Sequence, residues 1–202
     1  MIVFKNKNDK LNRLNEMRLL AFSLQLSDYY IGQENLNLEI SFKELAFHSY
    51  AMVGFDSKNG TFCISINNRI LDYFFLALQA VSHEFIHIKQ RLDGRLTQPM
   101  KHLPHVFCWQ DSPNSKPEFY QNVDSIENNE AYLNLPWEKE AFAEMDNLCY
   151  KIQSQFKDKQ LKFGLFKVYD YFFNQNDKIL NRLKKDYNIT LREYLSLYSL
   201  ND

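Results

Sequence analysis

A chain of 202 residues that is 45% hydrophobic, with only 5 glycines and 5 prolines, can bury a real core and reads as an ordered globular protein rather than a flexible chain. Its formal net charge of -1 and pI of about 6.5 provide no overall positive field, which argues against nucleic-acid and anionic-membrane partners. The most apolar run, LDYFFLALQAV (71–81), is too short to cross a bilayer.

The N-terminal residues MIVFKNKNDKLNR place apolar residues before charges, the reverse of the secretory order, so no export signal is expected. Cys63, Cys108 and Cys149 are odd in number and form no CxxC pair. They are expected to be buried, reduced thiols in a cytoplasmic protein. In chain order, DKLNRLNEMRLLAFSLQLS (9–27) carries Leu14, Met17, Ala21 and Leu24 at helical spacing and predicts a first helix. LNLEISFKELAFHSYAMVGF (36–55) and TFCISI (61–66) alternate, and DSKNG (56–60) between them is a turn signal, so an antiparallel hairpin is expected, with His48 a polar strand residue. A long buried helix follows at about 70–92, with Phe74, Leu78, Val81, Phe85 and Ile88 at spacings of three and four, and Asp93-Gly94 ends it.

Residues 94–134 hold four prolines and read as a long loop that wraps a surface or serves the site. LPWEKEAFAEMDNLCYKIQSQF (135–156) is a second strong helix, with Pro136 in its first turn and Glu138 and Glu140 at its positive end. Two or three further helices are expected beyond 160, one opening with the capping-box pattern Thr190-x-x-Glu193. The fold class is α+β. A small antiparallel or mixed sheet is accompanied by an N-terminal helix, two long helices and extra C-terminal helices. The whole is a single domain over 1–202, with a core at about 36–157 and a helical extension at about 160–202.

His83-Glu84-Phe85-Ile86-His87 is an HExxH motif. On a helix, residues four apart share a face, so His83 and His87 can aim two ring nitrogens at one cation. Glu84 lies about 100° further round, where a carboxylate flanks the ion and can take a proton from water. In a chain of this length and composition, chance would produce such a motif with odds of roughly 1 in 100. The bland alternative, two satisfied histidines and a surface glutamate, must put three polar groups beside a strongly apolar face. A catalytic zinc needs a third protein ligand, and Glu138, Glu140 and Glu144 on the second helix all offer one.

HExxH followed by a glutamate on a later helix resembles the gluzincin pattern of zinc peptidases. In these, and in ImmA/IrrE-type peptidases, the third ligand begins a Glu-x-x-Ala or Glu-x-x-Ser unit, a register that Glu138-Lys-Glu-Ala141 matches and Glu140 does not. The resemblance therefore implies Glu138. His83 to Gln90 (HExxHxxQ), Trp109 in CWQD, and Leu135 to Ala141 (LPWExEA) are together similar to predicted metallopeptidases of tailed phages, over about residues 60–145. Where ImmA/IrrE-type members carry Asn after the alanine, and many gluzincins Asp, this chain has Phe142. A hydrogen bond that orients a ligand histidine must then come from elsewhere. The gap of about 50 residues between His87 and Glu138 is also longer than in the shorter ImmA/IrrE-type sequences.

The resemblance implies a zincin-like metalloendopeptidase with one zinc ion on His83, His87 and Glu138, and Glu84 as general base toward water. The substrate is a protein or peptide, paired along an edge strand near TFCISI, with the loop 94–134 as a wall or lid. The alternatives are a non-catalytic binding protein of zincin fold and a DNA-associated protease of the SprT-like group, which the near-neutral charge and the lack of a zinc ribbon disfavour. Several other residues carry weaker signals. His102, His105 and Cys108 are spaced by three, but Pro104 breaks the helix that would align them. Tyr120 and Tyr132 are either oxyanion stabilisers or loop packing. Trp109 and Trp137 read first as anchors of the long loop and second as pocket wall. Glu144 either orients a histidine or lies on a solvated helix face. KILNRLKKDY (178–187) is read as a solvated basic helix face.

Overall fold

A computed structural model describes residues 2–4, 13–32, 36–46, 49–99, 106–112, 114–121 and 129–157. All of these fall in one compact unit, Met1–Asp158. The C-terminal helices expected beyond 160, the Thr190 capping pattern, the basic stretch 178–187, and His48, His102 and His105 lie outside the described residues.

The architecture is mixed α+β, as expected. A four-stranded sheet has the order β1 (Ile2–Phe4), β2 (Leu38–Lys43), β4 (Thr61–Asn67), β3 (Ala51–Asp56). β1 and β4 both run parallel to β2, and β3 runs antiparallel to β4. The register aligns Leu38 with Phe62, Ile40 with Ile64 and Phe42 with Ile66, six buried side chains on one face. That face and the helices bury the core. α2 (Phe74–Leu92) packs on β3 and β4, α4 (Pro136–Lys157) packs on α2, and α1 (Arg13–Leu26) touches α2, α4 and β1.

Two strand expectations need correction. Residues 36–55 do not form one hairpin arm, because 38–43 leaves to pair in parallel with β4 and only 51–56 forms the hairpin. TFCISI is consequently an interior strand, and among the described residues the edges of the sheet are β1 and β3. The run Ile64 to Asn67, buried at four consecutive positions, carries the signature of a strand covered on both faces. The turn itself forms as read. Gly60 takes φ 62°, and the Asp56 carboxylate accepts from the Lys58 N–H (2.9 Å) and the Asn59 amide (2.8 Å).

The first helix begins, among the described residues, at Arg13 and continues through a π-helical turn, Ser27–Ile31, to Gly32 at φ 70°. Of its expected stripe, Ala21 is buried and Leu24 half-buried, and the side chains of Leu14 and Met17 are outside the description. The burial falls instead on Leu19, Leu20, Phe22 and Leu26, because two helices and a strand surround this segment. α2 starts four residues later than expected, after a 3₁₀ turn at Asn68–Ile70 that Asn67 caps by accepting from the Arg69 N–H (3.1 Å). Cys108 and Cys149 are buried thiols, whereas Cys63 is only half-buried, with its Sγ 3.7 Å from the Glu39 carboxylate.

The stretch read as a long loop is built. β5 (Leu96–Thr97), β6 (Val106–Trp109) and β7 (Glu118–Gln121) form an antiparallel meander, and a short helix α3 (Asn129–Leu133) leads into α4. Leu96, Trp109, Leu135 and Trp137 make a buried cluster that holds this segment to the start of α4, with Phe107 and Tyr120 packed against it. Truncating either tryptophan removes enough buried area to cost about 3–5 kcal/mol. Among the described residues no helix is long and apolar enough to cross a membrane.

Candidate metal centre

α2 carries the histidines because its apolar spacing buries it almost completely, from Ala80 to Ile88. The C-terminus of α2 is fixed by Gly94 at φ 73°. The Gly94 N–H donates to the Arg91 carbonyl (3.1 Å) and the Arg95 N–H to the Gln90 carbonyl (2.9 Å), a Schellman arrangement. This turn aims Arg95 at α4, where its guanidinium grips Glu140 at 2.9 and 2.5 Å. α4 opens with Pro136 and puts Glu138 in its first turn, where the helix dipole favours a negative charge.

Between the two helices, three side chains converge. Nε2 of His83 lies 3.1 Å from Oε2 of Glu138, Nε2 of His87 lies 3.4 Å from Oε1, and the two Nε2 atoms are 3.0 Å apart. Donor atoms on a tetrahedral ion with bonds of about 2.0–2.1 Å are separated by about 3.3 Å. The donor set of two imidazoles and one carboxylate, buried together, can therefore hold a metal ion. Burial alone would raise the pKa of Glu138, but hydrogen bonds and charge from His83 and His87 overcome it and hold the carboxyl well below the usual range. Burial likewise opposes a charge on His87, and Glu138 outweighs it to raise that pKa.

Gln90, the last residue of HExxHxxQ, has a role that the motif does not by itself declare. Its amide nitrogen donates to the Trp137 carbonyl (3.1 Å) and to Glu140 Oε1 (3.2 Å), two groups that only accept. Its oxygen must then face Nδ1 of His87, at 2.8 Å, and the imidazole donates there. In the neutral ring this leaves Nε2 of His87 with its lone pair toward His83 and Glu138. A glutamine at i+3 from a candidate ligand histidine is the sequence signal for it.

Glu84 is 5% exposed, and burial raises its pKa, opposed by His87, His83 and the Val53 N–H that donates to it. The Glu84 carboxylate is thus tied to the backbone of the edge strand β3. Tyr132, on α3, donates to Glu138 Oε1 at 2.7 Å, so the segment 94–134 reaches the cluster there. Tyr120 instead donates to Glu118 (2.6 Å), which pushes its pKa up to about 12, and meets Trp137 edge-on at 5.1 Å. Trp109 and Trp137 pack 6.2 Å apart as anchors. Glu140 is taken up by Arg95 and Gln90, and Glu144 accepts from Tyr30 (3.0 Å) rather than from a histidine. Cys108 sits buried in β6. No family model, curated protein or solved structure matches this chain.

Proposed function

We propose that this chain is a zincin-like zinc metallopeptidase that hydrolyses peptide bonds of a protein or peptide substrate. The observation that carries the reading is the convergence of His83, His87 and Glu138 from two helices, with a buried carboxylate, Glu84, alongside and bonded to an edge strand. His83, His87 and Glu138 would hold the ion, and when bound it would supply a Lewis acid that polarises a carbonyl and acidifies water. Glu84 takes the proton of the attacking water as the oxygen bonds to the carbonyl carbon. It returns that proton to the amine nitrogen as the C–N bond breaks. Its raised pKa suits a group that must both accept and release a proton. β3 is an edge strand among the described residues, and its outer backbone groups, next to Glu84, could pair with an extended peptide. Gln90 orients His87, and Tyr132 orients Glu138.

A binding protein that merely keeps a metal has no use for a buried carboxylate at position 84, and this favours the enzyme. The test is elemental analysis of the purified chain together with cleavage of an unfolded protein substrate, with and without a chelator. One zinc per chain, and cleavage that chelator abolishes and added zinc restores, is expected. A chain that binds no zinc overturns the reading.

A further inference from the structure

The two ligand histidines are held unequally. Nδ1 of His87 donates to Gln90 three residues along α2. Nδ1 of His83 is buried and has no hydrogen-bond partner among the described residues. The residue three along from His83 is Ile86, which is fully buried in the core and offers no acceptor. From α4 the group that meets the His83 ring is Phe142, one turn after Glu138, with ring centroids 4.6 Å apart and planes at 57°. Among the described residues the His83 ring also meets the edge of His87, at 4.6 Å. Phe142 is 42% exposed, so it packs on the His83 ring from the solvent side, and Nδ1 of that ring is buried.

We infer that Phe142 is a positioning residue that holds His83 by ring packing in place of a hydrogen bond and thereby keeps the metal affinity of this centre below what its three donors support. The inference rests on the metal-centre reading above. With no acceptor at Nδ1, a neutral His83 gains most by carrying its proton on Nε2, where it donates to the Glu138 carboxylate at 3.1 Å. That is the nitrogen that must present a lone pair to a cation, so binding has to displace the proton and leave an unpaired N–H at Nδ1. An acceptor at position 142 would favour the competent tautomer before the ion arrives. Orienting partners of ligand histidines change metal affinity by about 10–100-fold.

The experiment compares zinc affinity, by competition with a chromophoric chelator, in wild type, Phe142→Asp, Phe142→Asn and Phe142→Leu, with circular dichroism as the check on folding. Nitrogen-15 spectra of the histidine rings report the tautomer in the metal-free chains. The Asp and Asn variants are expected to bind zinc about 10–100-fold more tightly and to move the His83 proton to Nδ1. The Leu variant, which keeps the site apolar, is expected to do neither. If wild type binds zinc and folded Asp and Asn variants bind it no more tightly, Phe142 does not limit the site and the inference fails alone. A wild-type chain that takes no zinc overturns the metal-centre reading and this inference together.

Discussion

Gln90 accepts a hydrogen bond from Nδ1 of His87 across 2.8 Å and donates its own amide to the Trp137 carbonyl, one residue before Glu138. One side chain thus orients the ring of a candidate ligand on α2 and positions the turn of α4 that carries Glu138. Replacing it with alanine leaves the His87 N–H buried and unpaired and removes the clamp between the helices. Gln90→Ala is expected to weaken zinc binding about 10–100-fold. The loss is read by chelator competition, and unchanged affinity in a folded variant contradicts the positioning role.

Glu84 touches the edge strand and the electrostatic field of the histidines but contributes no atom to the three-ligand cluster. Glu84→Gln keeps the shape and removes the proposed base. The variant is expected to hold zinc with the stoichiometry of wild type and to lose hydrolysis by about 10²–10⁴-fold. Elemental analysis and a cleavage assay on the same preparation check both halves, and full activity eliminates the proposed base.

Glu138 and Glu140 are two residues apart on α4, and the sequence alone left both available. Glu138→Ala removes a donor from the cluster and is expected to abolish stoichiometric zinc. Glu140→Ala strips Arg95 of a two-point partner at a partly exposed site and is expected to lower stability by about 1 kcal/mol while retaining the metal. Denaturant titration and metal analysis separate the two effects. Equal metal content in Glu138→Ala and wild type refutes the third ligand.

The helices were legible because their signals are local. The spacing of Phe74, Leu78, Val81, Phe85 and Ile88 gives α2, and Gly94 ends it at a positive φ. The pairing of strands was not, since parallel pairing of β1 with β2 and β2 with β4 joins segments far apart in sequence and no short-range pattern specifies it. TFCISI alternates like an edge strand, but only its neighbours decide that it lies inside the sheet. Of the site, HExxH specifies two atoms by helix geometry, whereas the roles of Gln90 and Tyr132 depend on how α3 and α4 dock. The meander β5–β7 is not legible in the sequence because its flanking prolines and short strands imitate a loop, although Trp109 and Trp137 mark where it is anchored.

Tyr132 offers a last distinction, between orienting a ligand and stabilising charge on the substrate. Its hydroxyl lies 2.7 Å from Glu138 Oε1 and its side chain belongs to a residue 39% exposed, so it is tied to the cluster while it remains accessible. In the orienting role, it occupies one lone-pair site of Oε1 and steers the carboxylate toward the histidines. Tyr132→Phe then weakens zinc binding, by about 10-fold for one lost orienting bond, and leaves the turnover of the zinc-loaded chain close to that of wild type. In the alternative role, the hydroxyl swings to the developing oxyanion, zinc binding is preserved, and kcat falls by about 10²-fold or more. The short contact to Glu138 favours the first pattern. Zinc affinity and kcat at saturating zinc, measured on the same variant, decide between them.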